Sequence, residues 1–172
     1  MSFAYAFVQQ SKKMLLNLDA WLEKAAKHAE EKKFDKEILL SARLAPDAYP
    51  LLKQIQAASD GAKLMAARLS GKEAPVHTDD EKTFDEARAR IKKALAFIDT
   101  VSEKDLEGAE NRTIVLPFIK TEKKGIKGTD YLLQFAGPNF TFHVTTAYQI
   151  LRHNGVALGK MDYVGDLNLI AV

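Results

Sequence analysis

The stretch that decides the fold is residues 137–163, which reads GPNFTFHVTTAYQILRHNGVALGKMDY. Pro138 suits the first turn of a helix, where its missing N–H would have no partner in any case. Asn154 and Gly155 end the helix, because glycine adopts the left-handed conformation without a Cβ penalty. Between them no breaker occurs, and apolar residues recur at spacings of three and four. The stretch therefore predicts an amphipathic helix with one buried stripe, and His143 lies beside that stripe.

The same periodicity predicts three earlier helices. The first spans residues 2 or 3 to 32, and the second begins at residue 46 or 47 and ends near residue 70. The third follows an acidic N-cap signature at residues 78–81 and ends near residue 101 or 102. Its other face is basic, which we interpret as a solvated face: Arg88, Arg90, Lys92 and Lys93. Gly61 lies within the second helix, so we expect a close helix crossing there.

Residues 103–137 break the helical pattern. Residues 113–119 are rich in β-branched side chains, and residues 129–135 resume an apolar pattern after a polar loop. The two runs predict a hairpin, with Pro117 placing the first run at a sheet edge, although the second run is equally compatible with the start of a helix. We therefore predict an all-α protein, a four-helix bundle with a short β-hairpin inserted before the last long helix. The short connection between the second and third helices favours antiparallel neighbours.

Length and composition exclude several classes of protein. The 172 residues indicate one domain, residues 1–172, and the net charge of +2 is too balanced to indicate a nucleic-acid or membrane partner. The absence of cysteine excludes disulfides, thiolate catalysis and Cys-ligated zinc. No apolar run approaches the roughly 20 residues of a membrane helix, and the N-terminus lacks the features of a signal peptide. We expect a soluble, cytoplasmic protein, and we find no nucleotide-binding, hydrolase or zinc-protease motif.

Several motifs resemble a known family. They are RLAPDAYPLLKQIQAASDGAK at residues 43–63, GAENRTI at 108–114 and PNFTFHVTTAYQILRHNGVALGKMDY at 138–163, together with Phe84 and Ile91 after an acidic helix start. They are similar to an uncharacterised bacterial family within the DinB-like/YfiT-like four-helix-bundle superfamily, from the first helix to about residue 165. The resemblance implies an up-down-down-up bundle, frequently a homodimer. It implies no assigned activity.

The wider superfamily is described as metal-dependent enzymes, and the resemblance implies a site of three histidines. One stands on the second helix, and an H-x-x-x-H pair stands on the fourth. Here the second helix has no histidine. His143 has Asn139 four residues before it and Ala147 four residues after it. His143 is therefore the only candidate ligand for a divalent ion such as Zn²⁺ or Ni²⁺. The polar substitutes on the second helix are Asp47, Gln54 and Asp60.

The two histidines of the fourth helix cannot bind one ion. His143 and His153 are ten residues apart, which separates them by about 80° in direction and about 15 Å along the axis. We expect His143 to bond Asp47, Asp60 or Gln54 instead, either in a polar network that fixes helix register or in a ligand or acid–base pocket. The candidate pocket residues are Arg43, Asp47, Gln54, Asn139, His143, Tyr148 and His153.

The other histidines and the tail have structural interpretations. His28 and His77 are expected to be exposed, in a charged helix end and in a loop. Lys160, Asp162 and Tyr163 are expected to fold back over the end of the bundle, and residues 167–172 to dock.

Two functions remain open. The first is a homodimeric, non-enzymatic bundle that binds a small ligand near His143. The second is a divalent-metal-dependent hydrolase or transferase that uses His143, Asn139 and a group from the second helix.

Overall fold

Four long helices form the protein. A computed structural model describes residues 2–116 and 124–170. The long helices are α1 (Phe3–Lys32), α2 (Leu51–Ser70), α3 (Phe84–Ile98) and α4 (Gly137–His153). Each buries one apolar stripe, and the stripes meet in a common core around Trp21, Phe84 and Leu151. The predicted all-α bundle is confirmed, and none of the described helices is long and apolar enough to cross a membrane.

The first and third helices run in opposite directions. Lys12 near the start of α1 pairs with Asp99 at the end of α3, at 2.5 Å. Arg88 near the start of α3 donates to Asp19 further along α1, at 2.7 and 3.0 Å. These pairs fix the two helices as antiparallel neighbours.

The second and third helices are parallel, so the expectation of antiparallel neighbours is wrong. Gln56 donates to Glu81 at one end of this pair, and Lys72 pairs with Asp105 at the other. Residues 71–83 run extended along the bundle, and an extended segment of this length reaches about 40 Å. This exceeds the roughly 30 Å of a 20-residue helix, so the connection can return the chain to the starting end. We call residues 71–83 the crossover strap.

The fourth helix is antiparallel to the second. Gln54 near the start of α2 meets His143 in α4, while Arg68 near its end meets Tyr131, which precedes α4. The bundle therefore runs up, down, down and up, as the resemblance implies.

The predicted hairpin is present but shorter. Strand β1 (Thr113–Val115) pairs antiparallel with β2 (Gly125–Lys127), and Ile114 lies opposite Ile126. Residues 129–135 are helical, which is the alternative that the sequence left open. Gly128 follows β2 and lies close to the backbone of Ala109. A Cβ at Gly128 would lie 1.9 Å from the Ala109 carbonyl oxygen. The predicted edge position, Pro117, lies outside the described residues.

Pro138 lies in the first turn of α4, as predicted, but helical structure also precedes it. A helical turn, Gly128–Asp130, and a π-helical segment, Tyr131–Ala136, lead directly into α4. A wider π-helical turn suits the position before Pro138, whose ring would clash with the carbonyl four residues earlier in a regular helix. Gly137 packs against α1, because a Cβ there would lie 2.9 Å from Phe7 Cε1. The predicted end is confirmed: α4 stops at His153, and Gly155 has a φ of 84°.

The predicted starts of α2 and α3 are wrong. α2 begins at Leu51, after Pro50, rather than at residue 46 or 47. α3 begins at Phe84, where the Thr83 side chain and the Glu86 carboxylate form a capping box. Two N-cap signals lie close together in the sequence, one at residues 78–81 and one at Thr83. Asp79 and Glu81 of the first signal bind Arg90 and do not cap the helix.

The tail returns over the bundle, as predicted. It forms α5 (Lys160–Val164), and Trp21 Nε1 donates to the Asp162 carbonyl at 2.9 Å. The Trp21 ring stacks on Tyr163 with 5.6 Å between ring centroids. Of the segment predicted to dock, residues 167–172, the described part does not, since Leu169 and Ile170 are 84% and 85% exposed, and residues 171–172 lie outside the described residues.

Arg90 is buried, so the interpretation of a fully solvated basic face on α3 is wrong. Its side chain is 1% exposed. The guanidinium donates to Asp60 of α2 at 2.8 Å, and within the strap to the Thr78 carbonyl at 2.9 Å, Asp79 at 3.1 Å and Glu81 at 2.9 Å. One cation therefore joins α2, α3 and the crossover strap.

Replacing Arg90 with Met is expected to lower the free energy of unfolding by about 3 kcal/mol, the lower end of the range for a buried pair, because the nearly covered Glu81 and the half-buried Asp60 lose a fully buried cation. The matched control is Arg88→Met on the same helix. Arg88 itself is 25% exposed, against 1% for Arg90, so water can replace its pair with Asp19 and a loss of about 1 kcal/mol or less is expected. Urea unfolding of the two variants measures the difference, and equal losses would contradict the central role of Arg90.

Candidate functional site

His143 forms a buried polar link between α4 and α2. The side chain is buried, and its Nδ1 lies 2.8 Å from Gln54 Oε1. The Gln54 amide nitrogen donates in turn to the Tyr49 carbonyl at 3.1 Å. Of the three expected partners of His143, the structure selects Gln54.

The bond to Gln54 determines the form of the His143 ring. An amide oxygen only accepts, so Nδ1 carries the proton and Nε2 is the acceptor nitrogen. Burial lowers the pKa of His143, so the ring is neutral at neutral pH. No described carboxylate is bonded to it, and so His143 lacks the partner that would prepare it for acid–base work.

Asn139 lies one turn before His143 and faces a cleft beside Gly61 of α2. A Cβ at Gly61 would lie 3.7 Å from Asn139 Nδ2 and 3.8 Å from Phe140 Cβ, which are ordinary contacts. The helix crossing therefore does not require this glycine, contrary to the expectation from sequence. The missing side chain instead leaves space between α2 and the end of the π-helical segment.

This space is a cleft of about 180 Å³. Its walls are mostly apolar, with polar groups at a few positions. The lining residues are Ala57, Asp60, Gly61, Leu64, Arg68, Tyr131, Phe135, Ala136 and Asn139. We call it the α2–α4 cleft.

One stripe of α2 organises this interface. Gln54, Gly61 and Arg68 are seven residues apart, which returns a helix to nearly the same direction after two turns. Gln54 bonds His143, Gly61 opens the cleft, and Arg68 Nη1 donates to the Tyr131 hydroxyl at 3.2 Å. The seven-residue spacing is visible in the sequence, but of these three residues only Gln54 was predicted to line a pocket.

Arg43 and Asp47 lie apart from His143, in the connector before α2. Both are exposed, and Arg43 donates to the Ala48 carbonyl at 2.9 Å. Arg43 lines a separate, shallow cleft of about 430 Å³ with Tyr49, Lys53 and Glu81.

Tyr148 and His153 also lie apart from His143. Tyr148 belongs to an aromatic cluster with Trp21 and Tyr163, with ring centroids 5.3 and 5.5 Å away. His153 is exposed at the end of α4. The seven predicted residues therefore occupy several places, and only Gln54, His143 and Asn139 lie along one interface.

The described residues do not fit the metal site that the resemblance implies. On α2, Gln54 is the substitute that contacts His143, and its oxygen already accepts the His143 proton, while Ala147 occupies the position four residues after His143. Among residues 2–116 and 124–170, no group of three His, Cys, Asp or Glu side chains is placed to hold an ion. No metal-dependent chemistry follows from these donors.

The sequence reasoning missed a second polar cluster, beneath the crossover strap. Lys63 is buried and lies 2.8 Å from Asp60 Oδ1 while donating to the Pro75 carbonyl at 2.9 Å. His77 is not exposed as expected: its side chain is 10% exposed, and its Nδ1 lies 3.9 Å from Asp60 Oδ1. The available signal was Arg90, which falls at core spacing in the apolar stripe of α3.

His28 also differs from expectation. It is half-buried, and its ring contacts Phe34 edge-on at 5.8 Å. This contact closes the end of α1 against the connector and gives His28 a packing role.

Similarity to a solved structure defines the class of the protein. The crystal structure of a DinB family member protein from Shewanella denitrificans superposes with a TM-score of 0.91 at 41% sequence identity. The match covers 99% of this chain and 100% of the other. The fold is thus that of the DinB-like helical bundles.

The particular family follows from the sequence. The model of the domain of unknown function DUF1993 matches residues 4–164, and the chain belongs to this family. None of the curated proteins matches the chain. The resemblance read from the sequence motifs is confirmed, and the family carries no assigned activity.

Acidification is expected to destabilise the protein through His143 and His77. Burial lowers the pKa of both, and the nearby charges of Lys63 and Arg90 lower that of His77 further. The unfolded chain takes up these protons near the ordinary pKa of about 6.5, whereas the folded chain does not. The stabilisation is therefore complete above that pH and is lost as the pH falls below it.

Urea unfolding between about pH 7.5 and pH 5.5, a window spanning the ordinary histidine pKa, measures this effect. His143→Gln and His77→Gln are each expected to lose less stability on acidification than the wild type. The control is His153→Gln, an exposed histidine on α4, which should follow the wild type. An unchanged pH dependence in both buried variants would contradict the neutral state of these rings.

Proposed function

We propose that this protein binds a small molecule in the α2–α4 cleft and is not a metal-dependent hydrolase or transferase. The observation that carries the proposal is the cleft that Gly61 opens one turn from His143. Ligand sites are typically concave and mostly apolar, with a few polar groups that orient the ligand. This cleft has that composition, and its volume suits a molecule smaller than the usual drug-sized ligand.

The wall of the cleft supports a functional role. Tyr131, Phe135 and Ala136 come from the π-helical segment. Isolated π-helical turns are uncommon and are frequent at functional sites. Here the wide turn places two aromatic rings along one wall.

The lining residues favour binding over catalysis. They include no histidine, serine or threonine, the Asp60 carboxylate is engaged by Arg90 and Lys63, and the Tyr131 hydroxyl accepts from Arg68. His143 takes part indirectly, because its bond to Gln54 fixes the register of α2 against α4. We assign it a positioning role beside the cleft.

A small-fragment library screened by protein-observed NMR tests the proposal. We expect the strongest fragments to shift backbone amides of residues 57–68 and 131–139. Gly61→Leu should weaken their binding by at least about tenfold, because the new side chain fills the cleft. The control is Ala89→Leu on α3, which adds similar bulk away from the cleft. Fragments that bind only outside the cleft would overturn the proposal.

We also propose that the chain forms a homodimer, as the resemblance implies. Two large apolar side chains flank the His143–Gln54 pair, and Tyr49 and Phe142 are 57% and 61% exposed. A second copy would cover them and remove apolar surface from water.

Sedimentation velocity at micromolar concentration tests the dimer. The wild type should sediment as a dimer, and Phe142→Glu should shift it to the monomer. Leu133→Glu, at another exposed apolar side chain, should leave the dimer intact. A monomeric wild type would contradict this proposal.

A further inference from the structure

The α2–α4 cleft contains a cation, Arg68, that has no carboxylate partner among the described residues. Arg68 is half-buried, and its guanidinium lies 5.8 Å from the centre of the Tyr131 ring. Its one hydrogen bond in the described part of the chain is Nη1 to the Tyr131 hydroxyl at 3.2 Å. A guanidinium has five N–H donors, so Arg68 retains donors for a ligand.

Arg68 differs in this respect from the arginines of α3. Arg88 donates to Asp19, and Arg90 reaches Asp60, Asp79 and Glu81. No carboxylate among residues 2–116 and 124–170 pairs with Arg68. A partly desolvated guanidinium binds a carboxylate more strongly than one in water, and its planar fork matches the two oxygens.

The opposite end of the cleft has a different polarity. Asp60 is eight residues before Arg68, about 12 Å along the helix axis. Its carboxylate already lies against Arg90 and Lys63, and Asn139 stands beside it. Because Asp60 already engages Arg90 and Lys63, this end of the cleft attracts an anion less than the guanidinium of Arg68 does, so a charged ligand has one favourable orientation.

The middle of the cleft favours an apolar, flat body. Gly61 and Leu64 form the floor, and Tyr131 and Phe135 form the wall, with their ring centroids 6.1 Å apart and tilted by 30°. Aromatic faces favour stacked or edge-on contact with another ring.

We propose that the ligand of the α2–α4 cleft is a small carboxylic acid with a flat apolar body, whose carboxylate binds Arg68. The inference rests on the proposed binding function and specifies the class of ligand. Arg68 selects the anion, the Tyr131 hydroxyl holds the guanidinium in place, and the cleft volume limits the size of the body.

Three probes of similar shape and different charge test this: benzoate, benzamide and benzylamine. In NMR titrations of the full chain, benzoate should bind at least about tenfold more tightly than benzamide, because only the carboxylate forms charge-assisted hydrogen bonds. Benzylamine should not bind in the cleft. Arg68→Met, which keeps the apolar stem, should reduce benzoate to the affinity of benzamide.

Two further variants complete the test. Arg152→Met removes the same charge at the far end of α4 and should leave benzoate binding unchanged. Arg68→Gln provides a second measurement of the lost charge if the Met variant folds poorly.

The outcomes separate this inference from the proposed function. If benzamide or benzylamine binds in the cleft as tightly as benzoate, the carboxylate inference is overturned while the binding function stands. If neither these probes nor any library fragment binds in the cleft, both are overturned. Benzoate binding that persists in Arg68→Met and disappears in Arg152→Met would also overturn the inference.

Discussion

The arrangement of this bundle depends on the buried Arg90 guanidinium. Two parallel neighbours need a connection that runs the length of the bundle, and such a connection has little apolar surface of its own. Arg90 holds it by donating to a strap carbonyl and two strap carboxylates while also donating to Asp60 of α2. Burying an unpaired charge would cost several kcal/mol, so α2, α3 and the strap are stable only when assembled together.

Much of the fold follows from periodicity, and the errors at the start of α3 share one cause. The apolar stripes located four helices, and Gly155 marked the end of α4 correctly. The start of α3 was misplaced because Asp79 and Glu81 have the chemistry of an acidic first turn and also that of partners for a buried arginine. Sequence spacing cannot decide between a local and a distant partner. The direction of α3 follows from the same contacts, because a strap held by Arg90 along the bundle makes α3 run parallel to α2.

The candidate site was predictable in part for a similar reason. His143 and Gln54 are on facing stripes of two helices, so their bond was among the few alternatives that the sequence allowed. The cleft was not predicted, because it arises from an absent side chain at Gly61 and a π-helical turn that no local pattern announced. Tyr148 and His153 are near His143 in sequence, but their directions on α4 carry them to other surfaces.

The departure from the implied metal ligands and the α2–α4 cleft both involve residues of α2. Gln54 is one of the three polar residues of the predicted second helix that could stand for the implied histidine, and it forms a direct hydrogen bond with His143 at that level of the interface. Two turns further along the same stripe, Gly61 supplies no side chain, and two turns beyond it Arg68 supplies a charge. The polar link at Gln54 holds α2 and α4 in register, which keeps the gap at Gly61 from closing by a slide of one helix along the other. The α2–α4 interface thus combines a polar link at Gln54 with an open cleft at Gly61.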